Sequence, residues 1–544
     1  MFQENMLRTF FILFVSLYSV TTTPPNILVI VADDLGYNDI AWHNPEIVSP
    51  NLEKLAKDGI ILENHYVSLC SATRGALLTG YYPIHTGLQH GVISDQEPKG
   101  LYKNFTLMSE YFRDIGYRTH IVGKWHLGFC HEDYLPLRRG FDTFYGKYNG
   151  MGDYFDHTDW STVGVENKGY DFHNQNDIDI SAEGTYSSTI FAERAVKIFK
   201  DHVLNHSNKS IFMYLPFQSV HKELQVPKEY YELYPNINDG NRRIFSAMVS
   251  AMDDAVGMIV EELKSNDLLD NTIIVFMSDN GGHIYGSGNN YPLRGTKSTL
   301  WEGGTKSVSF IYSKMLENKG TKNDKLFHVV DWLPTLLTAV KNSLPSNEQH
   351  KVEKFFSEDW DGVDQWDMLT ENKVNKRSEF VYNIDPLFLS CNDELNGVSR
   401  SGSGAIRIGD LKLIVGDPGS HDGHYTPEFI SKIDWTCVNS AESYACSSIS
   451  CNTSNNEPEK EMGYPFMFRE WPTYLFDLKN DPNEYHNIAI NNLDVVEEML
   501  QRYKEYESSM IPPNSADEIE EGNPINFNGV WSSGWCESEP GLMR

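Results

Sequence analysis

The sequence predicts an α/β protein: a mostly parallel central sheet flanked by helices, followed by a smaller C-terminal α+β domain carrying an antiparallel sheet. Three observations predict it. The N-terminal two-thirds alternates short, continuous apolar runs with longer amphipathic stretches. The texture turns polar from about 341 to 359, and the chain beyond that stretch reads as antiparallel strands around polar loops. A chain of 544 residues is also long enough for one large core and a second, smaller one.

Taken in order, residues 27–32 form a continuous apolar run, the pattern of a strand buried on both faces. Ser49 and Pro50 open a helix, with Ser as N-cap and Pro at the first helical position. Leu52, Leu55 and Ala56 give it an apolar stripe, and Gly59 ends it. A second helix fits 107–115, closed by Gly116, and a strand at 117–122 comes at once after it. Further strands fit 211–215, 272–277 and 308–312. Long amphipathic helices fit 187–203 and 242–264, and 329–340 fits another despite Pro334. Beyond the polar stretch, 405–415 and 473–478 read as strands and 495–506 as a final helix. The division this gives is a leader at 1–23, a large domain at 24–389 and a smaller one at 390–544.

The leader rests on Arg8, the apolar run 10–20 and the small polar residues Thr21, Thr22 and Thr23 before Pro24. This fits a signal peptide better than a buried N-terminal helix, and the run is too short to span a bilayer. With no later membrane-spanning stretch, the expected location is secreted or lysosomal. Sequons at Asn104, Asn205, Asn208 and Asn452 agree with that. So does the cysteine count of seven, whose oddness sets one aside for a separate role. The other six allow up to three disulfides, and four of them lie between 391 and 451, so the C-terminal part is expected to be the stapled part. The net charge of −31 argues against nucleic acid, whose phosphates need a basic face. An anionic substrate must then be held by a local basic cluster, with screening limiting the overall repulsion to roughly 8 Å.

Chemistry collects where the apolar runs end. Asp33 and Asp34 come after the first run, Lys124, Trp125 and His126 after the 117–122 run, His221 after 211–215, and Asp279 and Asn280 after 272–277. If the strands are parallel, all four segments meet at one sheet edge, where ligands bind in open α/β sheets. The alternative is that such residues merely cap strands. Three carboxylates and an amide offer only oxygen, which suits a hard cation, Ca²⁺ or Mg²⁺, and not zinc. Gly281 and Gly282 are expected to let the chain turn tightly after the last ligand. Arg74, Lys124, His126, His221 and Lys297 form a basic set able to hold a tetrahedral oxyanion. Cys70 opens a short helix whose buried face is Leu77 and Leu78, placing it at the positive end with Arg74 one turn on. Taken literally this is a low-pKa thiolate; the alternative is a buried structural cysteine.

At these residues the chain resembles the type I sulfatases, a branch of the alkaline-phosphatase-like superfamily. Cys70 to Gly80 resembles the family's Cys-x-Pro-x-Arg motif and its Leu-Leu-Thr-Gly tail, with Ala72 where Pro is usual and Thr73 for the commoner Ser. Gln218 to His221, the Asn289 to Gly295 segment and Leu300 to Gly304 are most similar to arylsulfatase B-type enzymes. The resemblance implies one Ca²⁺ at a metal site of Asp33, Asp34, Asp279, Asn280 and Cys70, the last as its converted side chain. It implies that Cys70 is oxidised to 3-oxoalanine (formylglycine) by a formylglycine-generating enzyme. It also implies that Lys124, Lys297 and His221 hold sulfate, that His126 takes a proton and that Arg74 orients the site. The substrate it points to is N-acetylgalactosamine 4-sulfate in glycosaminoglycans, with small sulfate esters such as aryl sulfates or glucosinolates as the alternative. A phosphatase or phosphodiesterase of the same superfamily, and a non-catalytic secreted binding protein, are the competing classes.

Overall fold

The computed structural model describes residues 23–389, 401–419, 421–430, 466–468 and 471–537. The leader to residue 22, Cys391, Cys437, Cys446, Cys451 and the sequon at Asn452 lie outside the described residues. No helix among the described residues is long and apolar enough to cross a membrane.

The first body is built on β1 (Asn26–Ala32), α1 (Pro50–Asp58), β2 (Ile60–Leu62), α2 (Cys70–Thr79), α3 (Met108–Asp114), β3 (Arg118–Lys124), β4 (Thr143–Lys147), β5 (His173–Asn174) and β6 (Asp177–Ile178). It continues through α4 (Ser187–Asn205), β7 (Ile211–Pro216), α5 (Gly240–Ser265), β8 (Thr272–Ser278), β9 (Ser309–Tyr312), β10 (Thr321–Asn323) and α6 (Trp332–Ser343). The ten strands form one sheet in the order β10-β2-β9-β8-β1-β7-β3-β4-β5-β6. Its five central strands, β8, β1, β7, β3 and β4, are all parallel. The 308–312 run is β9, antiparallel to β8, so the sheet is mixed at its edges.

Alternate residues of β1 feed opposite faces. Ile27, Val29 and Val31 join a core with α2, α3 and α6, while Leu28, Ile30 and Ala32 join one with α1, α4 and α5. Burial on both faces is why these strands read as unbroken apolar runs rather than alternating ones. Each fully buried Val, Leu or Ile contributes about 1.5–3 kcal/mol.

Helix α1 departs from the expected start in one detail. Ser49 sits at the N-cap but its side chain caps nothing; its hydroxyl accepts from Ala41 N instead. The cap comes from α5, where Asp253 accepts from Asn51 N at 3.1 Å and Leu52 N at 2.7 Å. A carboxylate bonds an amide more strongly than a hydroxyl does, so the tertiary partner wins. Pro334 is tolerated because it lies in the first turn of α6, where no helical amide bond is lost.

A second, five-stranded antiparallel sheet contains β11 (Glu379–Leu389), β12 (Ser401–Ile408), β13 (Leu411–Gly416), β14 (Phe466–Phe468) and β15 (Trp471–Asp477), in the order β11-β12-β13-β15-β14. Its first strand thus precedes residue 390. Helix α7 (Leu493–Ser509) comes after the sheet. The sheet packs into the core on the α2 and α6 side. A buried charge network also fastens it there. Lys412 Nζ on β13 lies 3.0 Å from Glu302 Oε1 and 2.8 Å from Glu484 Oε1, and Tyr66 and Tyr382 hydroxyls donate to Glu302 at 2.7 and 2.9 Å. The described disulfide does not staple the C-terminal part to itself; Cys130–Cys536 ties the end of the chain to the large sheet's body, 406 residues away.

Candidate active site

The carboxyl ends of the central strands converge, so Asp33 and Asp34 (after β1), Lys124 (ending β3), His221 (after β7), and Asp279 and Asn280 (after β8) reach one place. Cys70 enters from the N-terminus of α2, and Lys297 comes from the loop before β9. All are buried, along with Arg74 and His126. Lys124 Nζ is 2.5 Å from Asp33 Oδ2, Lys297 Nζ is 2.6 Å from Asp34 Oδ1, and Arg74 lies 2.8 Å from Asp279 and 3.5 Å from Asp33. His221 Nε2 is 3.7 Å from Asp34. Asn280 Oδ1 accepts from Cys70 N and Sγ at 3.1 and 3.2 Å, while its Nδ2 donates to Asp34 Oδ1 at 2.8 Å. Asp34, Cys70 and His126 hold positive φ, a backbone cost of about 1–3 kcal/mol each that the surrounding fold sustains.

Two hydrogen bonds set the histidine tautomers. His126 Nε2 donates to the Ile93 carbonyl at 3.0 Å, leaving Nδ1 with a lone pair and no partner among the described residues. His221 Nδ1 donates to the Lys222 carbonyl at 2.5 Å, turning Nε2 toward Asp34. The Tyr154 hydroxyl lies 2.9 and 2.7 Å from the Gln218 and His221 carbonyls and holds that loop. Burial, aided by the charge of Lys124, depresses His126 well below the imidazole range. Burial and Lys297 do the same to His221.

The low-pKa thiolate is a correction. Burial pushes the Cys70 thiol up to about 12, with Lys297 opposing and Asp279 reinforcing the shift. The helix N-terminus is there, but α2 is buried on every side, and losing water outweighs a partial dipole charge. Neither Gly281 nor Gly282 has positive φ. Gly281 is needed for space, since a Cβ there would sit 1.8 Å from the Gly303 carbonyl oxygen.

The donor set fits a hard cation. One oxygen or sulfur from each of Asp33, Cys70 and Asp279 lies within 4.8 Å of the others, and Asp33 Oδ1 is buried without a hydrogen-bond partner among the described residues. Burial, then the charge of Asp279, drives Asp33 up to about 7 against Lys124 and Arg74. A divalent ion would relieve that repulsion. Burial opposes ionisation of Asp34 too, but Lys297 and His221 hold it well below the carboxylate range.

Sequence reasoning missed β4. Its Lys147 pairs with Lys124 in the parallel register, and Asn149 and Gly150 run beside His126. It also missed a cavity of about 250 Å³ between α2 and the second sheet, lined by Leu69, Ala72, Leu88, Leu300 and Tyr382 together with His90 and Asp385. Asn104, Asn205 and Asn208 are exposed.

A family model described as Sulfatase matches residues 25–342. Arylsulfatase J of Mus musculus is 34% identical over 528 residues, covering 95% of this chain and 81% of its own length. N-acetylgalactosamine-6-sulfatase of Homo sapiens is 27% identical over 387 residues, covering 67% and 69%. Among solved structures, Ps i-CgsB in complex with k-i-k-neocarrahexaose superposes with a TM-score of 0.69 at 23% identity, covering 93% of this chain and 97% of that one. That likeness shows a common fold.

Proposed function

The chain belongs to the sulfatase family and is a sulfuric ester hydrolase; on that premise we propose that it cleaves its ester through Cys70 converted to formylglycine, with one Ca²⁺ held by Asp33, Asp34, Asp279 and Asn280. The observation that supports this is the meeting of Asp33, Cys70 and Asp279 donor atoms within 4.8 Å, ringed by Arg74, Lys124 and Lys297.

In the hydrated aldehyde one hydroxyl, its proton lost to water, forms a bond to sulfur as the ester S–O bond breaks. The departing alcohol takes a proton from Lys297, or from His221 once bound sulfate has drawn a second proton onto its Nε2. The second hydroxyl then loses its proton to His126, whose Nδ1 lone pair is unpartnered among the described residues. The aldehyde reforms and sulfate leaves. Lys124, Lys297 and His221 would hold the sulfate oxygens, and Arg74 donates to Asp279 and fixes the carboxylate that would serve as a metal ligand. Bound Ca²⁺ supplies Lewis-acid polarisation of those oxygens and favours the ionised nucleophile.

The proposed substrate is N-acetylgalactosamine 4-sulfate of glycosaminoglycans. The apolar cavity beside Leu69 favours a second reading, a small aryl sulfate. The proposed setting is secreted or lysosomal, with glycans on Asn104, Asn205 and Asn208 and a formylglycine-generating enzyme met during maturation. The exposed sequons and the Cys130–Cys536 disulfide support an oxidising compartment.

The test combines mass spectrometry of the tryptic peptide containing Cys70 with a substrate panel of 4-sulfated galactosamine ends, 6-sulfated sugars and aryl sulfates. Thiol-to-aldehyde conversion and turnover of the 4-sulfated sugar are expected. Asp279→Ala should lose both turnover and bound calcium. An active enzyme with an intact thiol overturns the mechanism, and turnover of aryl sulfates alone establishes the second reading.

A further inference from the structure

The carboxyl end of β4 carries an unmet polar group beside His126. Asn149 is 2% exposed, yet neither its Oδ1 nor its Nδ2 has a hydrogen-bond partner among the described residues. Its backbone is firmly placed. Asp171 accepts from Tyr148 N at 2.9 Å and Asn149 N at 2.8 Å, and the Tyr148 carbonyl accepts from His126 N at 3.0 Å. Gly150 lies so near the histidine that a Cβ on it would come within 2.7 Å of the imidazole Cε1. A buried amide with both ends unmet is unfavourable unless something else completes it.

The surroundings narrow what that can be. Asp95 faces Asp159, whose Oδ2 is also buried without a partner among the described residues, and the charge of Lys147 acts on Asp95, Asp159 and Asp171. Burial, then the charge of Asp159, holds Asp95 well above the carboxylate range. Asp171, which accepts from Tyr148 N and Asn149 N and pairs with His173 at 3.1 Å, sets a carboxylate directly beside Asn149, which disfavours an anionic substituent there.

We propose that Asn149, with the Asp171 carboxylate on its backbone N–H and His126 beside the next residue, is a subsite that hydrogen-bonds uncharged substituents, hydroxyl or acylamino, on a sulfate-bearing sugar ring. This deepens the sulfatase reading and rests on it. A hydroxyl or acylamino group both donates and accepts, as the amide of Asn149 does, whereas an aryl ring does neither. The site therefore selects neutral sugar sulfates over aryl sulfates and over sulfated uronic acids.

The test compares full-length matured wild type, Asn149→Ala and Asn149→Asp on N-acetylgalactosamine 4-sulfate, a chromogenic aryl sulfate and a 2-O-sulfated uronic acid. Asn149→Ala should lower kcat/KM on the sugar sulfate at least tenfold more than on the aryl ester. Asn149→Asp, which keeps the acceptor and loses the donor, should fall between the two. As a readout without turnover, Cys70→Ala should bind the sugar sulfate at least tenfold more tightly than Cys70→Ala/Asn149→Ala in calorimetry. Equal losses on both esters, whether or not Tm falls, overturn the subsite, as does no loss on either. Turnover of the sulfated uronic acid by wild type refutes the neutral-group assignment. A matured wild type inert toward all three esters instead sinks the hydrolase reading on which the subsite depends.

Discussion

Replacing Lys412 by Met should unfasten the second sheet from the large one. Lys412 is fully buried, with Glu302 Oε1 at 3.0 Å and Glu484 Oε1 at 2.8 Å, both carboxylates fully buried too. Removing one partner from such a cluster leaves uncompensated buried charge and costs about 3–5 kcal/mol. With unfolding entropy of about 2.1 cal/mol/K per residue over 544 residues, that lowers Tm by about 3–4 °C if the chain unfolds as one unit. The loss should depend on pH. Burial already pushes Glu484 up to about 6, and Lys412 opposes the rise. Without the ammonium its folded-state pKa climbs further above the unfolded value, so the variant regains stability at low pH and loses it as pH rises through that pKa. Glu302 is held down to about 2 in the native chain, chiefly by Lys412 against burial, and loses that support in the variant. Calorimetric scans at pH 5 and 7.5 should show the larger deficit at 7.5, and adding Glu484→Gln should recover part of it. A Lys412→Met chain that melts within 1 °C of wild type, or whose deficit is the same at both values, refutes the account.

Asp253→Ala should destabilise the chain by about 3 kcal/mol, since two amides at the start of α1 lose a charged acceptor that Ser49 does not replace; an unchanged Tm would show that Ser49 turns in to cap. Cys536→Ser should cost about 2–5 kcal/mol, because the bridge to Cys130 closes a span of 406 residues. A melting curve indistinguishable from wild type under non-reducing conditions would count against a structural role for the bridge.

The strand ends that carry chemistry were legible where an unbroken apolar run stops abruptly at charge, as Ala32 does at Asp33 and Met277 does near Asp279. β4 escaped because Thr143–Lys147 contains Gly146 and Lys147, with Asp142 just ahead, so no apolar run marks it. Its place in the sheet is set by register against β3, a long-range fact. The cap on α1 was misread for a related reason. Ser49 is the local candidate, but the competing acceptor is on α5, about two hundred residues on. The Cys70 thiol was misjudged because a helix start is visible in sequence while depth is not. The Lys412 network, joining β13 to Glu302 and Glu484, has no local signature at all.

The sealing of α2 carries a consequence for chronology. Cys70 is 1% exposed on a helix with no solvent face, so no second protein can grip it once the two sheets have closed. If its thiol becomes an aldehyde, that event belongs to the nascent chain. The fraction of working molecules is then inherited from synthesis, and a folded, unconverted molecule has no route to repair short of unfolding.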